Sequence, residues 1–349
     1  MRTRKIFEII ALAAIIILVS WVWIAKEQTY VKKPYVKEDT LMDTYVTIKA
    51  YGESKSKVKR AVDKAMAEIK RIDVLMNFYD KNSEISKINK KDGANPIKIS
   101  TDTMKIISLS LAYAEKTGGA FDPTIGALTS LWDFGKEKTP SESEMEKNLP
   151  LVDYHFIELN KEKETISLQK EGMKLDFGGA AKGYAIDKAM DILIKEGVSG
   201  ALITTGSTTK VTRLKAKKDL WKIGIQNPRF HDNEENVMGI ISTTDKSMST
   251  SGDYQRYFTK NKVRYHHILN PKTGMPAQEY ISVTIITDLG AAEADILSTA
   301  VFVMGYPEGM DFIKQNNNIE GIIVTADGAV HVSPGLREKV EDLKARIEV

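Results

Sequence analysis

Three short stretches carry side chains able to do chemistry. "EADILST", residues 293–299, sets Asp295 and Thr299 four apart, on one face of a helix. A carboxylate and a hydroxyl are hard oxygen donors, suited to Mg2+ or Ca2+ and not to zinc. The same residues admit a plainer role, with Asp295 and Ser298 capping the helix and Thr299 bonding back to its own backbone. "KLDFGGAAKGYAID", 174–187, runs from a strand through a glycine-rich turn into a helix start. Free N–H groups, the positive helix end and Lys182 suit a phosphate there, and a tight structural turn fits equally well. The spacing is neither that of a Walker A loop nor G-x-G-x-x-G.

"RYHHILNPKTGMPA", 264–277, uses two of the chain's five histidines. Strand alternation sends His266 and His267 to opposite sides, whereas a chelating pair on a strand needs i, i+2 spacing. One functional histidine is therefore expected, set against a histidine simply satisfied by neighbouring backbone. "GGAFDPTIGAL", 118–128, combines flexible glycines, Phe121 and a fixed Asp122-Pro123 turn; a ligand-binding loop and a helix C-cap with its following loop both account for it. "NFYD", 77–80, ends a helix with two adjacent aromatics, of which at most one faces the core fully.

The elements that must position these groups are legible from periodicity. "DTYVTIKAY", 43–51, alternates as a strand, and the following helix places Val58, Val62, Ala65, Ile69 and Ile72 on one face. A second helix is expected over about 102–117, with Ile106, Leu109 and Ala112 or Tyr113 inward, stopped by Gly118-Gly119. Two or three short strands lie within 155–177, and a helix runs from about Lys182 to Glu196. "GALIT", "WKIGIQ", "GIISTT" and "YISVTIIT" read as strands, followed by a helix over Ala292 to Met304 and a last helix, strand and hairpin. Strands and helices mix without βαβ alternation or internal repeats, so the fold class is α+β (mixed α/β), with one catalytic body and no separable linker.

The composition is that of a globular chain of 349 residues with net charge +3 and interleaved charges. No basic stripe with interleaved aromatics occurs, which excludes nucleic acid as a partner. The absence of cysteine excludes disulfides, thiolate metal sites and cysteine nucleophiles, and favours an extracytoplasmic address. Residues 1–5 are a basic cytoplasmic stub. Residues 6–25 carry no charge except Glu8 and are otherwise apolar but for Ser20, about the 20 residues that one transmembrane helix needs, with Trp21 and Trp23 at the far interface. A cleavable signal segment is the rival reading, although no A-x-A-like site follows. Residues 26–40 read as a tether, 41–337 as the catalytic body and 338–349 as a C-terminal tail. This arrangement is a single-pass membrane protein with its catalytic body outside the cytoplasm.

Taken together, the motifs are more specific than any one of them. "M-D-T", "N-F-Y-D", "G-G-A-F-D-P-T-I-G", "L-D-F-G-G-A-A-K-G-Y-A-I-D", "S-T-S-G-D-Y-x-R-Y-F", "Y-H-H-I-L-N-P-K-T-G-M-P-A" and "A-D-I-L-S-T-A-V-F-V-M-G" occur in order over about residues 40–335. In this the chain resembles the ApbE family of FAD:protein FMN transferases. The resemblance implies an enzyme that splits FAD with Mg2+ and moves FMN onto a threonine of an acceptor protein, with release of AMP. Acceptors in the family are typically subunits of membrane redox complexes, and some relatives mainly hydrolyse FAD to FMN and AMP. The family's flavin contacts fall on Met42, Tyr79, Ala120, Phe121, Asp122, Asp176, Lys182 and Ile268. Its metal ligands fall on Asp295, Thr299 and the backbone oxygen of Gly179. We add His267 as the expected general base beside the catalytic Asp295.

Two departures from the family stand out. Asn270 replaces the usual Asp before Pro271, where an amide can still cap the turn. Thr204, Ser207 and Thr208 stand where relatives carry an Asn and a Gly-Gly-Asn-like turn. Besides transfer, the residues admit an FAD pyrophosphatase, which shares every site, and a flavin-binding protein without turnover, for which a metal pair has no use.

Overall fold

A computed structural model describes residues 13–22, 33–91, 95–212, 220–229 and 236–347. Its centre is an eight-stranded antiparallel sheet of β1 (Tyr35–Leu41), β2 (Thr44–Tyr51), β3 (Gly200–Thr204), β4 (Thr208–Thr212), β5 (Lys246–Gly252), β6 (Tyr280–Thr287), β7 (Ile319–Thr325) and β8 (Val330–Val332). The strands neighbour one another in the order in which the chain makes them. The helices α1 (Lys55–Met76), α2 (Thr101–Lys116), α3 (Ala181–Lys195) and α4 (Ala291–Met304) arise from the long connections between them. The mixed α/β architecture expected of the chain is what is found.

Both faces of the sheet are covered. Val283 and Ile285 of β6 point into the large core shared with α1, α3 and α4. The alternate residue Ile286 joins Ile322, Val324 and Met248 in a second core, closed by a three-stranded sheet of Trp221–Gln226, Val237–Thr243 and Val340–Glu341. Burial on both faces explains why β6 reads as a nearly continuous apolar run. The α4 helix is buried almost all round, with Ile296, Leu297 and Phe302 fully inside. Each such side chain contributes roughly 1.5–3 kcal/mol by leaving water, and that apolar jacket is where Asp295 sits.

Several expectations need adjusting. The inward face of α2 is Met104, Ile106, Ile107 and Ala114, while Leu109 is half-buried and Ala112 exposed. The last residues of the presumed tether, 35–40, belong to the edge strand β1. Residues of the presumed tail belong to the body: Val340 pairs with Ile241, and Ile347 is buried in the second core. Of the expected membrane segment 6–25, residues 13–22 are helical with exposed side chains, and 6–12 and 23–25 lie outside the described residues. Among the described residues no helix is long and apolar enough to cross a membrane.

Candidate active site

One cleft of about 600 Å³ opens where the helices meet the ends of the central strands. Its lip begins at the β1–β2 hairpin, where Met42 and Asp43 both have positive φ (55° and 57°), the geometry that matches the twist of paired strands. The Met42 N–H donates to Asp73 Oδ2 at 2.9 Å, which ties the hairpin to the last turns of α1. Just beyond α1, Asn77 Oδ1 accepts from the N–H groups of Tyr79 (2.9 Å) and Asp80 (3.2 Å). That turn presents Tyr79 at the mouth, 60% exposed, edge-on to Phe78.

The second wall is built by two loops laid side by side. Gly118 and Gly119 take positive φ and return N–H bonds to the last turn of α2, ending the helix as expected. Ala120, Phe121 and Asp122 follow, all buried. Asp122 is closed on itself: Oδ1 accepts from Thr124 N (2.8 Å) and Thr124 Oγ1 (2.6 Å), and Oδ2 from Tyr154 N (3.1 Å). Burial pushes its carboxyl above the ordinary range despite these bonds. The glycine-rich turn is held against this loop by the Asp176 N–H on Pro123 O (2.9 Å). Asn89 clamps the same segment, accepting from Leu175 N (2.7 Å) and donating to Leu175 O (2.8 Å).

The floor joins that turn to α4. The α3 helix starts at Ala181 with no side-chain cap. A Cβ on Gly183 would lie 2.1 Å from Ala291 O, so glycine lets α3 cross the start of α4 in contact. Asp187 completes the junction by accepting from Ala291 N (2.8 Å) and Ala292 N (2.9 Å). Capping of α4 is therefore the work of Asp187. Asp295 lies one turn further in, 4% exposed, and is not the cap. Its Oδ1 accepts from Thr208 Oγ1 (3.3 Å) and Ser249 Oγ (3.2 Å), and Oδ2 from Gly183 N (3.2 Å), with Lys182 Nζ 3.7 Å away. Thr299 Oγ1 donates to Asp295 O (3.2 Å) and neighbours Ser251 Oγ (3.3 Å), so backbone bonding and a place on the cleft floor go together.

The donor set fits a hard cation. A Cβ at Gly179 would come 2.8 Å from Thr299 Oγ1, so glycine lets that stretch of backbone pass close against Thr299. The Lys182 ammonium, bonded to Gly178 O at 2.8 Å, already faces the same oxygens. Among the described residues no three His, Asp or Glu side chains gather as a metal cluster. A site here rests on one carboxylate, one hydroxyl and one carbonyl.

The two histidines differ as strand geometry requires. His266 is buried, with Nε2 on Ala277 O (2.6 Å) and Nδ1 accepting from Ile268 N (3.3 Å), so both ring nitrogens serve the fold. His267 and Ile268 line the cleft. His267 Nδ1 is buried without a hydrogen-bond partner, and burial, helped by Arg256, pulls the imidazole pKa down to about 3. Asn270 keeps the turn that an Asp would make, accepting from Lys272 N at 2.9 Å. The second departure places Thr205, Gly206 and Ser207 on the cleft, and Thr208 beneath Asp295.

Every residue singled out for flavin, metal or acid–base work lines this one cleft. Comparison with known proteins identifies the family. The profile of the ApbE family matches residues 42–323. The chain belongs to the ApbE family. A relative from Treponema pallidum named FAD:protein FMN transferase is 27% identical over 330 residues, covering 90% of this chain and 91% of that one. The ApbE protein crystal structure from Thermotoga maritima superposes with a TM-score of 0.81 at 33% identity, covering 88% of this chain and 99% of that one. Apo flavinyl transferase ApbE from Pseudomonas stutzeri gives 0.77 at 25%, covering 88% and 96%. Membership of the ApbE family makes the chain a transferase.

Other residues at this ApbE cleft had been given no role by the sequence reading: Asp73, Thr205, Ser251 and Arg256 line it, and Ser249 lies beneath it on Asp295. Ser249 and Ser251 did carry a signal, since hydroxyls two apart on a strand share a face. Asp73, on the flank of α1, carried none.

Proposed function

We propose that the protein is an Mg2+-dependent FAD:protein FMN transferase that joins FMN by a phosphoester to a threonine of an extracytoplasmic or membrane acceptor protein and releases AMP. The observation that carries this reading is the cleft floor, where Asp295, Thr299 and the Gly179 backbone converge beside Lys182 and the start of α3. The threonine oxygen forms the new bond to the FMN phosphorus, and the bond from that phosphorus to the bridging oxygen breaks, with AMP leaving. Asp295, Thr299 and the Gly179 backbone are the residues that would hold Mg2+, which when bound would supply positive charge to offset that of the phosphate oxygens. Lys182 and the α3 N-terminus hold the same anion from the other side. Phe121, Ile268 and Tyr79 offer ring and aliphatic surface to the flavin and fix its direction, which is much of the catalysis. His267, kept neutral by burial and with no hydrogen-bond partner on Nδ1, is the residue we read as taking the threonine proton.

The same proposal places the catalytic body outside the cytoplasm, anchored in the lipid bilayer by its N-terminal segment, with a subunit of a membrane redox complex as acceptor. The run of exposed apolar side chains from Ile15 to Val22 supports an anchor. The test is incubation of the protein with FAD, MgCl2 and a candidate acceptor, followed by a denaturing gel. A yellow-fluorescent acceptor band together with AMP is expected, and both are lost in chelator. AMP without a labelled band would make the enzyme an FAD pyrophosphatase, and no AMP would leave only flavin binding.

A further inference from the structure

Beneath Asp295 lies a group of buried hydroxyls to which the proposed chemistry gives no part. Thr208 and Ser249 are 0% and 1% exposed, on the adjacent strands β4 and β5, and their oxygens are 3.0 Å apart. Both meet Oδ1 of Asp295, at 3.3 and 3.2 Å. Ser298, fully buried on α4, donates within the same group, to Asp295 O at 3.0 Å and toward Ser249 Oγ at 3.3 Å. Oδ1 is thus turned away from the cleft into a closed polar pocket. Oδ2 is the oxygen on the Lys182 side, held by the single Gly183 N–H.

We propose that Thr208 and Ser249 are positioning residues that make Asp295 a one-oxygen ligand and thereby select Mg2+ over Ca2+. The proposal rests on the metal reading above. A carboxylate oxygen accepts along its lone pairs, and charge-assisted bonds from buried hydroxyls hold its rotation. Ca2+ takes six to eight oxygens at about 2.3–2.6 Å and readily uses both oxygens of a carboxylate; Mg2+ takes six at about 2.0–2.1 Å, keeps waters and accepts one oxygen. With Oδ1 withdrawn, the floor offers one carboxylate oxygen, one hydroxyl and one carbonyl, a poor set for Ca2+ and a sufficient one for hydrated Mg2+. Freeing Oδ1 lets the carboxylate turn and chelate the larger ion.

The test measures the thermal unfolding midpoint of flavin-free protein against MgCl2 and CaCl2, since a ligand that binds the native state raises it with concentration. Wild type should respond to Mg2+ at lower concentration than to Ca2+, and Asp295→Ala to neither. The double variant Thr208→Val, Ser249→Ala should shift the ratio of the two apparent affinities toward Ca2+ by about tenfold, the scale of one lost hydrogen bond to a charged group. Ser249→Thr and Thr208→Ser, which keep the hydroxyls and are the variants to rely on if the double change unfolds, should retain the wild-type ratio. Equal loss of both affinities in the double variant, or a changed ratio in the hydroxyl-retaining pair, overturns the proposal. Wild type that binds both ions equally overturns it while leaving the metal reading intact, and wild type that responds to neither overturns both.

Discussion

Asp122 and Asp295 are both buried against the same cleft, yet their carboxylates are held in opposite ways. Asp122 spends both oxygens on its own neighbourhood, two bonds to Thr124 and one to Tyr154. Every partner is a fixed donor in a turn, so the side chain is a clasp that shapes the Ala120–Phe121 wall. Asp295 draws its partners from other elements, β4, β5 and the start of α3, with an ammonium nearby. Its Oδ2 carries only the Gly183 N–H and faces the Lys182 ammonium, which leaves that oxygen lone-pair capacity for a cation. Burial and residue type are the same; what separates the aspartate read as a clasp from the one proposed to hold the metal is which elements supply the donors.

The largest effect follows from removing the second of these. Asp295→Ala should cut FMN transfer and AMP release together by about a thousandfold, the scale of losing a principal charge-stabilising group. Initial rates of both products check it, and unchanged rates would remove the metal assignment. Asp122→Asn should do the reverse. An amide nitrogen must then face a donor that the carboxylate accepted, a cost of about 1–3 kcal/mol in stability. Urea denaturation should register that loss while kcat/KM stays within about threefold. A variant of normal stability that cannot transfer FMN would show Asp122 to be a reacting group and dissolve the contrast.

The two aspartates also mark how far the sequence could be read. Asp295 was legible because a four-residue helical spacing with Thr299 has a chemical meaning by itself. The resemblance added the flavin contacts, and the glycine-rich turn fell where its strand-to-helix pattern placed it. The donors around Asp295 were not legible, because Thr208 and Ser249 come together only when β4 pairs with β5. The same holds for Asp187: nothing local says that a residue within α3 caps α4. The inward face of helix α2 was read in part: Ile106 is buried and Leu109 and Tyr113 pack half-buried against the core, whereas Ala112 is exposed and Met104, Ile107 and Ala114 complete the face. Strand β1 and the C-terminal residues looked like linker for a separate reason. Their side chains are mostly polar or exposed, and they are held by backbone pairing, which leaves little pattern.

His267 sharpens the comparison from the basic side. Like Asp122 it is a titratable group disfavoured in its charged form by burial, but unlike Asp122 it has a ring nitrogen, Nδ1, with no hydrogen-bond partner. The native imidazole titrates near 3, against an ordinary value of 6.5, so the unfolded chain takes up the proton first as pH falls. Its contribution is fully present above 6.5 and is lost as pH drops from there toward 3. His267→Gln should therefore flatten the acid side of the stability curve, as seen in urea midpoints compared at about pH 7.5 and 4.5. The transfer rate of wild type should show no inflection from this residue near neutrality. A variant with wild-type transfer rates across pH would leave proton removal to another group.

The smallest effect is expected at Asn270, where the chain departs from its family. The side chain caps a turn through Oδ1 on Lys272 N, and the backbone closes it with Gly274 N on Asn270 O (2.8 Å). An aspartate accepts the same bond, so Asn270→Asp should change stability by no more than about 0.5 kcal/mol, as substitutions that keep their contacts do. Transfer should stay within about twofold, measured as kcat/KM for FAD at low and high salt. The neighbouring Pro271 lines the cleft, so a new charge at 270 would be felt there if the reaction used one. A tenfold gain in transfer that disappears in high salt would show that this edge of the pocket needs a carboxylate. The contrast between clasp and catalyst would then extend to a third position, one at which this chain has kept the clasp and given up the charge.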